Sequence, residues 1–210
     1  MSRPATGTTT AVLMLLGLLL LSSCGGGDGQ ASEASTSAAP SPSSTVKVPG
    51  RVALTGGGEE LRFGDTATVI FEPNKRRGSV LELTVDKVTR GDLDDLSRFV
   101  LDPSTKSSTP YYVDVAVKNI GESGVGGFTV PLYLLDDTDT LRQASTFTTE
   151  FAKCPSEQLP RRFSTDDTFK TCLVYLAPKR HAFEAVSFRP TQEFDPITWT
   201  GDVARDKNPS

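Results

Sequence analysis

The chain is poor in the side chains that most catalytic and metal chemistry requires. Its 210 residues include one histidine, three cysteines, two methionines and one tryptophan. Both methionines, Met1 and Met14, lie in the first 23 residues, so the rest of the chain has no thioether donor. With His181 as the single imidazole, this argues against a copper or zinc site. A Ser-His-Asp site would have to use His181, in Lys179-Arg180-His181. No Gly-x-Ser-x-Gly elbow is present to supply the serine. No Cys-x-x-Cys redox motif occurs either. Acidic pairs exist, at Glu59-Glu60, Asp94-Asp95 and Asp166-Asp167. Neighbours in a strand face opposite sides, so adjacency is no sign of a glycosidase pair. A basic excess is also missing. With 22 Lys and Arg against 26 Asp and Glu, the net charge is −4. That argues against a nucleic-acid partner, which a concentrated basic face would mark. These absences predict a protein that is not an enzyme and carries no cofactor or metal.

The N-terminus, by contrast, is rich in signal. Ala11 to Leu21 is an eleven-residue run without charge, preceded by Arg3. Such a run fits the 7–15 residues of a signal-peptide core and falls short of the roughly 20 needed to cross a bilayer. Leu21-Ser22-Ser23-Cys24 looks like a bacterial lipobox, an aliphatic residue and two small ones before the cysteine that is acylated. The alternative is an ordinary secretory signal cut nearby, with Cys24 merely the next residue. On the lipobox reading, residues 1–23 are the leader and Cys24 holds the protein on the cell membrane through acyl chains, on its extracytoplasmic face. Arg3 is the leader's one charged side chain, so its removal takes the net charge from −4 to −5.

Residues 24–48 then form a low-complexity tether. Gly25 to Ser44 is almost entirely Gly, Ser, Ala, Thr and Pro, with no aromatic or large aliphatic side chain. It cannot bury enough apolar area to offset the entropy of ordering it. Residues 49–203 are long enough for one domain, and 204–210 read as a disordered tail.

Within that domain the pattern is β. Leu81, Leu83 and Val85 alternate with Glu82, Thr84 and Asp86, and Val113, Val115 and Val117 with Asp114 and Lys118. Phe128 to Leu134 alternates too, with Pro131 expected at an edge or bulge. Ala67 to Phe71, Cys172 to Leu176, Val186 to Phe188 and Ile197 to Trp199 supply further strands. Asp92 to Phe99 reads as one helical turn, since Leu93, Leu96 and Phe99 recur at a helical interval. Turn residues punctuate Asn74 to Gly78, Asn119 to Gly127, Asp136 to Thr140 and Pro178 to His181. Seven to nine short strands predict an antiparallel β-sandwich, with an open barrel as the rival.

Cys154 and Cys172 remain, and in an exported protein a pair is most simply a disulfide. A reactive thiol is the alternative. Phe147, Phe151, Phe163 and Phe169 flank the loop between them and suit a satellite core. Any exposed ring there would make a binding patch beside Arg161 and Arg162. Arg161, Arg162 and Phe163 are therefore the expected partner-contact residues. Asp136-Asp137-Thr138-Asp139 has carboxylates for Ca²⁺ but lacks the Gly and the bidentate Glu of a calcium loop, so a solvated turn is expected. Lys75-Arg76-Arg77 is a basic cluster at a hairpin tip, either a soluble turn or a contact for an anionic surface.

Tyr112 to Gly121, an alternating strand that ends Asn119-Ile120-Gly121, resembles a strand of a family of Gram-positive, actinobacterial-type lipoproteins. These carry one immunoglobulin-like domain of unknown function behind a lipobox and a low-complexity linker. The acidic turn after Phe128, the strand ending Phe188-Arg189-Pro190 and Trp199 near the C-terminus also fit. The resemblance covers about Phe63 to Trp199, and the Cys154–Lys170 and Arg98–Thr109 stretches depart from it. It implies an immunoglobulin-like β-sandwich and a membrane location, and no activity. The expected role is a membrane-anchored interaction module for a protein or cell-wall partner. The rival is a carrier of a small apolar ligand or lipid between the sheets.

Overall fold

The structure, a computed structural model, describes residues 44–178 and 181–206. All of these residues belong to one compact unit. The leader, Cys24 and most of the expected tether lie outside the described residues.

Ten strands are present among the described residues: β1 (Glu60–Arg62), β2 (Thr66–Asn74), β3 (Arg77–Arg90), β4 (Thr109–Asn119), β5 (Tyr133–Asp136), β6 (Leu141–Gln143), β7 (Thr168–Ala177), β8 (Phe183–Phe188), β9 (Ile197–Thr200) and β10 (Ala204–Arg205). One sheet has the order β1-β9-β8-β5-β6. The other runs β10-β3-β4-β7, with β2 also paired to β3. The pairings are antiparallel except β1 with β9 and β10 with β3. The two sheets pack face to face as an all-β sandwich, as the alternation predicts.

Period-2 burial builds this core. Leu81, Leu83 and Val85 of β3, Val113, Val115 and Val117 of β4, and Leu173 and Tyr175 of β7 point inward and are at most 1% exposed. Leu134, Val186, Phe188, Ile197 and Trp199 meet them from the opposite sheet. A bulge at Asp86, where the register slips between Val85 and Lys87, shifts the phase of β3 so that Val88 rejoins the core. Polar tips of buried rings tie the sheets together. The Tyr175 hydroxyl donates to the Leu132 carbonyl at 2.8 Å, Trp199 Nε1 donates to Asp65 O at 3.0 Å, and Tyr111 Oη accepts from Phe183 N at 3.1 Å. An apolar ligand between the sheets would have to displace these side chains.

Three expectations change. Phe128 to Leu132 keeps its alternating burial but joins no ladder; the strand begins at Tyr133, because Pro131 has no N–H to give. The domain starts before residue 49. Val46 packs close to Gly78 and Lys47 reaches Glu122 at 2.7 Å, so Thr45–Val48 lie on the sandwich rather than in the tether. It also extends past 203, since Ala204 and Arg205 pair with Thr89 and Arg90. The helical turn appears as a 3-10 helix at Leu93–Leu96, capped by Asp92 and Asp95. No helix among the described residues is long and apolar enough to cross a membrane.

Candidate functional site

The expected contact residues fall around the loop that the cysteines close. Cys154 and Cys172 are bonded, with Cα atoms 5.0 Å apart. Cys172 sits on β7 opposite Asp114, so the bond straps residues 144–158 over the outer face of the second sheet. The free edge of β7 is satisfied by the same segment. Ser145 N donates to Val174 O at 2.7 Å and Ser156 N to Cys172 O at 2.8 Å. The Ser156 hydroxyl then donates to Ser145 O at 2.6 Å and accepts from Val174 N at 3.2 Å. Under the strap lies a second apolar cluster of Leu96, Tyr112, Phe151, Cys154 and Val174, with Phe99 and Phe147 packed against it. Phe147 and Phe151 thus form the expected satellite core, their ring centroids 5.4 Å apart.

Phe163 does not belong there, and its role as a partner contact is corrected. It is 2% exposed and part of the main core, so the ring meets no partner in the folded state. Its backbone is locked in place as well. The Phe163 carbonyl accepts from Asn119 Nδ2 at 3.1 Å and from Val125 N at 3.1 Å. Arg161 and Arg162, just before it, are exposed. Phe169 also packs on the main core.

Asn119 organises this end of the sandwich. Its side chain is fully buried. Oδ1 accepts from the Ser79 hydroxyl at 2.6 Å and from Gly121 N at 3.1 Å, and Nδ2 donates to Ser123 O at 2.8 Å as well as to Phe163 O. All four of its hydrogen-bonding positions are filled. Gly121 is needed beside it, since a Cβ there would stand 2.3 Å from Ser79 Oγ and 2.5 Å from Val80 N. The Asn-x-Gly ending of β4, which carried the family resemblance, is therefore a structural clasp.

The basic cluster sits at the same end. Lys75, Arg76 and Arg77 lie at the β2–β3 tip and, with Thr45, Val46, Lys47 and Glu122, line a cleft of about 230 Å³. The Arg77 guanidinium lies 5.8 Å from the centroid of the Phe128 ring. At the opposite end, a cleft of about 330 Å³ is bounded by Arg90, Gly91, Asp92, Arg205 and Asp206.

The ionisable groups elsewhere are absorbed by structure. Lys153 bonds Asp95 at 2.7 Å and Asp206 at 2.5 Å, and the Tyr112 hydroxyl donates to Asp95 at 2.8 Å. Partial burial would lower the Lys153 pKa, but hydrogen bonds to Asp206 and Asp95 and their charges outweigh it and hold the ammonium protonated. Such a lysine is no base or nucleophile. Burial and the Asp95 acceptor push the Tyr112 phenol well above its usual range. His181 Nδ1 lies 3.0 Å from Asp137 Oδ1. Among the described residues no serine or cysteine side chain bonds that imidazole, and no three His, Cys, Asp or Glu side chains are placed to hold a metal.

The Asp136 turn shows where carboxylates in the expected hairpin are used. Asp136 Oδ1 accepts from Thr138 N at 3.0 Å, Thr138 Oγ1 at 2.6 Å and Thr140 N at 3.2 Å, and Oδ2 from Arg142 Nε at 2.9 Å. Burial alone would raise its pKa, but these donors hold it at about 2, below the ordinary 3.8. A depressed carboxyl contributes stability that is present above the unfolded pKa and lost as pH falls through the folded one. Asp136→Asn is expected to lower unfolding free energy at neutral pH by about 2 kcal/mol. It should also flatten the acid limb of the stability curve between pH 3.8 and about 2. Urea titrations across that range check both effects.

Comparison of the chain with family models, with curated proteins and with solved structures finds no match.

Proposed function

We propose that this chain is a membrane-anchored extracytoplasmic lipoprotein whose β-sandwich is a non-enzymatic interaction module for a protein or cell-envelope partner. The observation that carries the reading is the combination of a lipobox at Cys24 with a domain stapled by Cys154–Cys172. Disulfides persist in oxidising compartments, so the bond supports export independently of the leader. Export followed by a cysteine directly after two small residues supports acylation. The chemistry supports the rest. The buried carboxylates of Asp95 and Asp136 are paired with Lys153 and Arg142, and the exposed Arg161 and Arg162 remain as the contact candidates.

Cross-linking on intact cells tests the module. Anchored protein is expected to capture one discrete partner, which Arg161→Ser with Arg162→Ser releases. Capture that survives both substitutions overturns the contact assignment. Metabolic labelling with palmitate tests the anchor. Label is expected on the native chain and is abolished in Cys24→Ala, with the protein shifting from the membrane to the soluble fraction. An unlabelled native chain would sink the lipoprotein reading.

A further inference from the structure

We propose that the hairpin tip Lys75-Arg76-Arg77 is the membrane-docking surface of the domain, seated on the anionic phospholipid headgroups of the bilayer that holds Cys24. The proposal rests on the lipoprotein reading and adds an orientation to it.

Position is the first argument. Thr45, Val46 and Lys47 line the same cleft as the tip, so the chain coming from Cys24 joins the sandwich beside the basic cluster. Nineteen residues, Gly25 to Ser43, separate the cysteine from Ser44, the first described residue. A chain of that length spans at most about 65 Å. The other end of β3, at Arg90, is about 45 Å further along at the rise of a strand. The basic end is therefore the end of the domain with the shorter path along the chain to Cys24.

Preorganisation is the second. Asn74 Oδ1 accepts from Arg76 N at 2.9 Å and Arg77 N at 3.1 Å, which fixes the turn beneath the three side chains. All three residues are exposed. Lys75 and Arg76 make no ion pair among the described residues. Two acids line the same cleft, one of them paired with a cation outside the cluster, so the three tip cations outnumber the one unpaired carboxylate. Glu122 pairs with Lys47 at 2.7 Å and Glu72 accepts from the Thr45 hydroxyl.

Sign is the third. The protein as a whole is acidic, with a formal net charge of −4, so an anionic surface repels most of it and attracts this tip. Each cation near such a surface strengthens partitioning about fivefold. That is weak for a free protein and sufficient for a tethered one, because the anchor keeps the tip at high local concentration.

The test uses the full chain in two forms. The unacylated Cys24→Ala chain is expected to sediment with phosphatidylglycerol-containing vesicles, not with pure phosphatidylcholine, and to be released by salt. Lys75→Ser, Arg76→Ser and Arg77→Ser together should lower that binding by about a hundredfold. Their fold is checked by an unchanged urea midpoint. On the acylated chain, hydrogen exchange at residues 74–78 should slow on anionic vesicles alone. Equal binding to neutral lipid, no loss in the triple variant, or binding of inorganic phosphate without vesicle binding would overturn the proposal. A chain that binds through the tip but is never acylated would count against the anchor alone.

Discussion

Asn119→Ala is expected to destabilise the domain by about 3 kcal/mol, with an unchanged dependence on urea. The buried amide serves four partners: the Ser79 hydroxyl, Gly121 N, Ser123 O and Phe163 O. Each group stranded without water costs about 1–3 kcal/mol, and a water admitted to the vacated space recovers part of the sum. Asn119→Asp separates geometry from volume. Its carboxylate still accepts from Ser79 and Gly121 but sets an oxygen against the carbonyls of Ser123 and Phe163. It should therefore be at least as damaging as alanine at neutral pH, and less so in acid, where the protonated acid regains a donor. A midpoint shift worth less than about 1 kcal/mol for both variants would show that the clasp is dispensable.

Removal of the disulfide, as Cys154→Ser with Cys172→Ser, is expected to lower stability by about 3 kcal/mol, the chain-entropy value for a loop of this size. The bond spans a sequence separation of 18. The loss should be uneven. β3, β4 and β7 keep their ladders, whereas residues 144–158 are held by the strap, two serine contacts and the Phe147–Phe151 cluster. Hydrogen exchange should accelerate first at Ser145 and Ser156, ahead of the β3–β4 amides. Reductant added to the native chain should reproduce the effect, and a thermal midpoint unmoved by reduction would contradict it.

Much of the sandwich was legible because burial writes a period of two into a strand. The rows Leu81, Leu83, Val85 and Val113, Val115, Val117 are spelled out that way, and the cysteine pair is expected from its small number together with the export signal read in the leader. What the reading missed had no periodic signal. β1, β6 and β10 have three, three and two residues, too few to show alternation. Phe128–Leu132 alternates yet stays out of the ladder because Pro131 withholds its N–H. The misplacement of Phe163 has the same source. An aromatic beside two arginines looks like a contact patch until the fold shows which side of the chain faces the core.

By itself the sequence determined the β class and pointed to the cysteine pair, since local periodicity and cysteine number encode them, while the export and acylation read from the N-terminus stand as a proposal. Only the tertiary structure decided that Asn119 is a four-way clasp, that Asp136 is spent on its own turn, and that Lys75–Arg77 stands where the chain joins the domain. The clasp and the basic tip depend on residues dozens of positions apart that only register and packing bring together, whereas the Asp136 partners are local in sequence and needed the folded turn to show which atoms its carboxylate faces.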